Sequence, residues 1–263
     1  MTREADLLEL ATDIALEAGA LAKRRRAEGV SIAATKSAIA DIVTDADREV
    51  EALIRARLAA ARPDDGFLGE ESGAEEGASG ITWVVDPIDG TVNYAYGIPA
   101  YAVSIAAVEG PPHPQTWTAL AGAVFAPAMG ELFAASRGDG AWLGDERLHV
   151  NDEAPAGALL ATGFGYDPAT HDGDLARVRR VMPVARDLRR IGAASLDLAY
   201  VAAGRLDGYF ERGLNPWDHA AGALLVIEAG GRVGGYRGAA AGSAMTIAAG
   251  DAVYRAIEEI IEG

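Results

Sequence analysis

Two aspartates three positions apart, Asp86 and Asp89, sit in the stretch Trp83-Val84-Val85-Asp86-Pro87-Ile88-Asp89-Gly90-Thr91-Val92-Asn93. The run before Asp86 is apolar and β-rich, a proline turn is expected to return the second aspartate, and a glycine and a threonine follow. Strand ends followed by glycine-containing loops are where α/β proteins place ligands, because backbone N–H groups there are free to point at an anion. Two carboxylates on so short a loop repel each other unless a cation lies between them, so the chemistry indicated is metal binding. The plain alternative is an ordinary turn carrying solvated aspartates.

Three further segments carry acidic residues in suggestive settings. Gly69-Glu70-Glu71 follows the apolar pair Phe67-Leu68, Trp217-Asp218 opens a helical stretch, and Val43-Thr44-Asp45-Ala46-Asp47 lies upstream. Each has a local explanation. Asp218 can cap a helix beginning near His219, Thr44 and Asp47 approximate a capping box, and Glu70 with Glu71 can be a solvated surface pair.

Taken together, the segments resemble the inositol monophosphatase family, part of a superfamily of metal-dependent, lithium-sensitive phosphatases. That family reads Gly-Glu-Glu, then Asp-Pro-Ile/Leu-Asp-Gly-Thr-x-Asn, then Trp-Asp before a Gly/Ala-rich helix. Here the same order appears as Gly69-Glu70-Glu71, Asp86 to Asn93, and Trp217-Asp218-His219-Ala220-Ala221-Gly222, with the resemblance running from about Asp41 to Gly231. The fold it implies is a mixed α/β, layered α-β-α-β-α sandwich of the inositol monophosphatase and fructose-1,6-bisphosphatase type, with the active site between two halves. Residues 1–263 are expected to form one phosphatase unit, with approximate halves at 1–150 and 151–263.

Hydrolysis of a phosphate monoester needs phosphoryl charge neutralised and a nucleophile made from water. Magnesium suits the task, since it takes oxygen ligands and keeps waters. Glu70, Asp86, Asp89 and Asp218 supply hard ligands and the Ile88 carbonyl can add another, while Gly90 and Thr91 offer backbone N–H groups to the phosphate. The resemblance implies two or three Mg2+ ions. In it Asp86 bridges two metals, Glu70 and the Ile88 carbonyl hold the first with Thr91 as an optional further ligand, and Asp89 and Asp218 hold the second. It also implies that Asp47 polarises the Thr91 hydroxyl to orient the attacking water, so that Glu70, Thr91 and Asp47 make up the catalytic group. A two-metal site can clamp attacking and leaving oxygens together.

Glu211 occupies the position, seven residues before Asp218, where inositol phosphatases hold a carboxylate that accepts hydrogen bonds from sugar-alcohol hydroxyls. Ala194 falls in the second implied substrate contact, but relatives read Gly-Ser/Thr-Ala-Ala there and this chain reads Gly192-Ala193-Ala194-Ser195, with the hydroxyl displaced. Lys36 is a further candidate phosphate contact. The expected substrate is inositol monophosphate or a similar polyol phosphate. Histidinol phosphate, fructose 1,6-bisphosphate and a 3′-phosphoadenosine nucleotide are the alternatives, and a catalytically inert metal-binding scaffold is the non-enzyme reading.

Composition narrows the field. The chain carries 39 acidic against 23 basic residues, a net charge of −16, which argues against a nucleic-acid partner. Arg24-Arg25-Arg26 is a candidate anion patch read as a solvated helix face. The absence of cysteine excludes disulfides and thiolate-bound zinc. His113, His149, His171 and His219 form no metal set, and surface or supporting roles are expected for them. An EF-hand reading from Asp86 fails, because Ile88 and Gly97 stand where acidic ligands are needed. No secretory leader is recognised and the apolar run at Leu224-Leu225-Val226-Ile227 is too short to span a bilayer, so a cytoplasmic protein, expected as a homodimer, follows.

Helical spacing of Leu7, Leu8, Ala11, Ile14, Ala15, Ala18, Leu21 and Ala22, and of Val50, Leu53, Ile54 and Leu58, predicts two amphipathic helices, the second starting after Thr44. Strands are predicted at 82–85, 103–107, 120–125 and 131–135, the last two joined by the turn Pro127-Ala128-Met129-Gly130. Beyond Asn151 the pattern predicts strands at 159–161, 188–191 and 208–211 and helices at 175–182, 196–203 and 219–229, the last stopped by Gly230-Gly231.

Overall fold

A computed structural model describes residues 2–30, 32–35 and 42–262. Lys36 and Asp41 lie outside the described residues. The first half runs α1 (Arg3–Glu28), β1 (Ile32–Thr35), β2 (Ile42–Thr44), α2 (Asp45–Ala61), β3 (Gly66–Gly69), β4 (Gly73–Glu75), β5 (Ile81–Asp89), α3 (Thr91–Tyr96), β6 (Ala102–Glu109), β7 (Thr118–Ala126), β8 (Glu131–Ser136), β9 (Gly140–Leu143) and β10 (Glu146–Arg147). The second runs β11 (Ala158–Thr162), α4 (His171–Val181), β12 (Ala185–Arg189), α5 (Ala194–Ala202), β13 (Gly208–Glu211), α6 (Pro216–Glu228), β14 (Arg232–Gly234), β15 (Thr246–Ala249) and α7 (Asp251–Glu262).

Eight strands form one sheet in the order β10-β9-β8-β7-β6-β5-β3-β4, and five form another in the order β12-β11-β13-β15-β14. Helices α1 and α2 cover one face of the larger sheet, α5 and α6 lie between the sheets, and α7 covers the far face of the smaller sheet with α4 beside it. The layers are therefore α-β-α-β-α. No helix among the described residues is long and apolar enough to cross a membrane.

The period of two along β5 decides what the acidic motif faces. Ile81, Trp83 and Val85 join the core beneath α1 and α2, whereas Val84 joins the central core with Leu198, Leu224 and Leu225 of α5 and α6. Asp86 continues the Val84 face and so points toward the middle helical layer. The proline turn expected between the aspartates is instead a register shift inside one continuous strand, between Asp86 and Asp89 where β5 pairs with β6. A bulge suits Pro87, which has no N–H for the ladder. Within it the Ile88 N–H donates to Asp86 Oδ1 at 3.0 Å, and the Ile88 side chain is buried on the α1–α2 side.

Other boundaries moved for local reasons. β12 ends at Arg189, so Ile191 belongs to the loop into α5, where Gly192 adopts a positive φ of 87°. Helix α6 starts at Pro216, favoured in the first turn because its missing N–H would have no helical partner. The β1–β2 pair, β14, β15 and α7 were not predicted.

Candidate active site

The acidic segments meet in one cleft between the two sheets. Its volume is about 640 Å³ including the open mouth, and its walls include Glu70, Asp86, Ile88, Asp89, Gly90, Thr91, Ala194, Glu211 and Asp218. Every metal, phosphate and substrate candidate that falls among the described residues is on these walls; Lys36 lies outside them. Asp47 stands behind that wall, its Oδ1 accepting the Thr91 hydroxyl at 3.2 Å.

Each side chain is held by an identifiable local device. Glu70 follows β3, which pairs in parallel with β5; the Glu70 N–H donates to Val85 O at 3.2 Å, and the buried Glu51 accepts from the Glu71 N–H at 2.8 Å. Asp47 sits at the third position of α2 and accepts both the Thr44 N–H, at 2.8 Å, and the Thr44 hydroxyl, at 2.6 Å. Capping thus leaves its other oxygen for Thr91. The Thr91 hydroxyl also lies 3.0 Å from the Ile88 carbonyl, so one proton faces two acceptors. Gly90 precedes α3 at φ 88°, and a Cβ there would come within 2.9 Å of the Ala100 carbonyl, so glycine is required. Asp218 caps α6 by accepting the Asn215 N–H at 2.7 Å while still lining the cleft.

Asp89 is held from the start of α5 by three hydrogen bonds. Its Oδ1 accepts the Ala194 N–H at 3.2 Å, and its Oδ2 accepts both the Ser195 N–H, at 2.7 Å, and the Ser195 hydroxyl, at 2.5 Å. A side chain from β5 therefore satisfies free amides at the start of α5. Asn93 makes a second tie between the halves, donating to the Ala100 carbonyl at 2.8 Å and the Ile191 carbonyl at 2.9 Å.

Burial and mutual repulsion raise the proton affinity of this cluster. Asp86 is held well above the usual carboxylate range by burial, then by the charges of Glu70, Asp89 and Asp218. Asp218 is raised by burial and by Asp89 and Glu70, although part of its surface opens to the cleft. Burial raises Asp89 too, against the opposing pull of its Ser195 and Ala194 hydrogen bonds. Asp47 is pushed up to about 6 by burial, partly offset by its bonds from Thr44. A divalent cation among the carboxylates would reverse the trend for its ligands.

The donor set fits a hard cation, being carboxylate and carbonyl oxygen throughout. Among the described residues, however, no three acidic or histidine side chains already close into a ready shell for an ion.

Several residues of the site had no prediction. Tyr166 lies on the cleft wall with Phe164 and Gly165, and burial together with Asp218, Glu70, Asp89 and Asp86 raises its phenol. The loop is tied down by His171, whose Nε2 is 2.9 Å from Gly165 O. Arg190 also lines the cleft, its guanidinium folded over Gly192, where a Cβ would meet it. Tyr209, two residues before Glu211 and so on the same face of β13, donates to Glu211 Oε2 at 2.5 Å. Burial pushes Glu211 up to about 7, opposed by that bond and by Arg190. Only the Tyr209–Glu211 spacing was available as a signal.

Of the surface or supporting roles expected for the histidines, His219 has a buried one: it packs against Trp117 with no partner for Nε2, and burial pushes it down to about 4. One expectation about a cation changes. Arg25 is not simply solvated, since it bridges α1 to α2 through Glu49 at 2.6 Å.

The chain matches the inositol monophosphatase family over residues 4–262. It is 47% identical over 249 residues to the inositol-1-monophosphatase SuhB of Mycobacterium tuberculosis, covering 87% of this chain and 83% of that one. It is 40% identical over 230 residues to the Nus factor SuhB of Haemophilus influenzae, covering 86% and 84%. The crystal structure of the extragenic suppressor protein suhB from Bartonella henselae superposes with a TM-score of 0.90 at 37% identity, covering 98% of each chain. With sequence and backbone agreeing along almost its whole length, the chain belongs to the inositol monophosphatase family.

Proposed function

We propose that the protein is a magnesium-dependent phosphomonoesterase acting on inositol monophosphate or a closely similar polyol phosphate. The observation that carries this is the convergence of Glu70, Asp86, Asp89 and Asp218 on one cleft whose wall also holds the Thr91 hydroxyl bonded to Asp47. In this proposal Glu70, Asp86, the Ile88 carbonyl, Asp89 and Asp218 hold the ions, which supply phosphoryl charge neutralisation and an acidified water. Thr91 orients the attacking water, and Asp47 draws the Thr91 proton toward its Oδ1. With its carboxyl pushed up to about 6, Asp47 is largely ionised at neutral pH and can accept that proton. Gly90 and Thr91 N–H groups meet the phosphate, and Glu211 and the Ala194 segment meet substrate hydroxyls.

Residues 1–150 and 151–263 act here as halves of one unit, because the proposed ligands come from both. Two or three Mg2+ ions and lithium inhibition follow from the family resemblance, and a homodimer and a cytoplasmic location are proposed with them.

The test is phosphate release from inositol 1-phosphate, histidinol phosphate, fructose 1,6-bisphosphate, a 3′-phosphoadenosine nucleotide and an aryl phosphate, each with Mg2+ and with EDTA. Metal-dependent release fastest on inositol 1-phosphate is expected. Faster release from another member of the panel would move the substrate assignment to it. A second reading, a partner protein without catalysis, draws on the Nus factor designation of the Haemophilus influenzae relative. No release from any member of the panel would favour it.

A further inference from the structure

We propose that Ser195 is a positioning residue that restricts Asp89 to one metal-facing oxygen and so favours Mg2+ over larger cations. This rests on the proposed role of Asp89 as a metal ligand. An ionised carboxylate has about four acceptor positions, two on each oxygen. On Asp89 Oδ2 both are taken, by the Ser195 N–H at 2.7 Å and the Ser195 hydroxyl at 2.5 Å. On Oδ1 the Ala194 N–H, at 3.2 Å, takes one. A single position on Oδ1 is left for a cation, so Asp89 would hold one end-on.

That restriction has a chemical consequence. Mg2+ demands near-octahedral geometry at short distances and is served by end-on carboxylates, whereas Ca2+ accepts six to eight oxygens and often takes a carboxylate through both. Two of the three restraints are backbone amides that any residue would supply. The hydroxyl is the one contributed by side-chain identity, and it is the hydroxyl displaced from its place in the relatives' Gly-Ser/Thr-Ala-Ala pattern. Ser195 is fully buried at the start of α5, where its hydroxyl donates to Asp89. Ser195→Ala would free one position on Oδ2 and let Asp89 embrace a larger ion.

The experiment follows Mn2+ binding by electron paramagnetic resonance in the absence of substrate, with Mg2+ and Ca2+ as competitors. The wild type and Ser195→Thr, which keeps the hydroxyl, are expected to share one Ca2+/Mg2+ competition ratio. Ser195→Ala is expected to shift that ratio toward Ca2+ by about tenfold, the weight of one hydrogen bond to a charged group. In an Asp89→Asn background the Ser195→Ala change should leave the ratio alone. Thermal unfolding of each variant confirms that it is folded, and loss of a helix cap by itself would lower the melting temperature without moving the ratio. An unchanged ratio in folded Ser195→Ala overturns the inference, as does a shift that persists with Asp89→Asn. Failure of the wild type to bind Mn2+ at all would instead overturn the metal reading on which it stands.

Discussion

Asp89 serves two partners with different demands, the amides of α5 and a proposed cation. Asp89→Asn keeps the shape but puts an NH2 group where Ser195 or Ala194 donors now point, and it removes a charge from the cleft. Phosphate release is expected to fall on the order of a hundredfold or more. The protein should still fold, with a loss of about 1–3 kcal/mol from the mismatched donors, read in a thermal melt. Undiminished release would rule out a metal role for Asp89. Glu211 invites a different comparison. Glu211→Ala should lower kcat/KM for inositol 1-phosphate about ten- to a hundredfold while sparing an aryl phosphate that has no such hydroxyls. Equal losses on both would reduce Glu211 to a structural support. Tyr209→Phe removes a hydrogen bond that favours the ionised carboxylate, so Glu211 should titrate above its present value of about 7. The acid limb of the inositol 1-phosphate profile should move to higher pH, whereas an aryl phosphate profile should not.

At the scale of elements, glycines and caps set how closely side chains approach the cleft. Glu211 lies directly over Gly163, where a Cβ would overlap its carboxylate. Gly163→Ala is therefore expected to displace Glu211 and reproduce the Glu211→Ala selectivity loss, with metal dependence retained; the same substrate pair measures it. Much of this framework was legible in the sequence. Periodicity marked α1, α2 and the strands β5 to β8, and Asp86 to Asn93 marked the centre of the site. The bulge escaped because Pro87 signals a turn and a strand irregularity alike, and only pairing with β6 separates the two. Helix α7 carried an audible signal in Val253, Ile257 and Ile261, but it follows a glycine- and alanine-rich stretch without clear periodicity. Arg190 and Tyr166 reach the cleft from loops, and Ser195 reaches Asp89 across 106 positions, contacts that local spacing does not encode. Asn93 stood within the motif, yet its carbonyl partner at Ile191 is 98 positions away.

Across the whole molecule, the proton affinities make a pH prediction whose sign is opposite to ordinary acid denaturation. Asp47, Glu211, Asp86, Asp89, Asp218 and Asp197 all hold protons more tightly when folded than carboxylates do when unfolded. The folded state thus binds more protons than the unfolded state, and its stability rises as pH falls through the folded values. His219 works the other way, since its folded value of about 4 lies below the ordinary histidine value of 6.5 and its contribution is lost as pH falls below the latter. Several carboxylates oppose His219, and the lowered carboxylates Glu49, Asp65, Glu131 and Asp187 lose their contribution mainly below about pH 5, so in EDTA the melting temperature should rise between about pH 7 and 5. Saturating Mg2+ should flatten or reverse that slope by stabilising the ionised ligands. A melting temperature that falls steadily with acid in EDTA would contradict this account.

The placement of the cleft on the seam between the sheets makes hydrolysis a reporter of assembly. Glu70, Asp86 and Asp89 precede the largely exposed stretch 152–156, and Glu211 and Asp218 follow it. A chain cut there would yield two pieces, each with its own sheet and an incomplete constellation of carboxylates. The pieces would also expose the matched apolar faces that now enclose α5 and α6. Fragment complementation should therefore be strongly cooperative, with catalysis appearing only on reunion and without any engineered reporter domain.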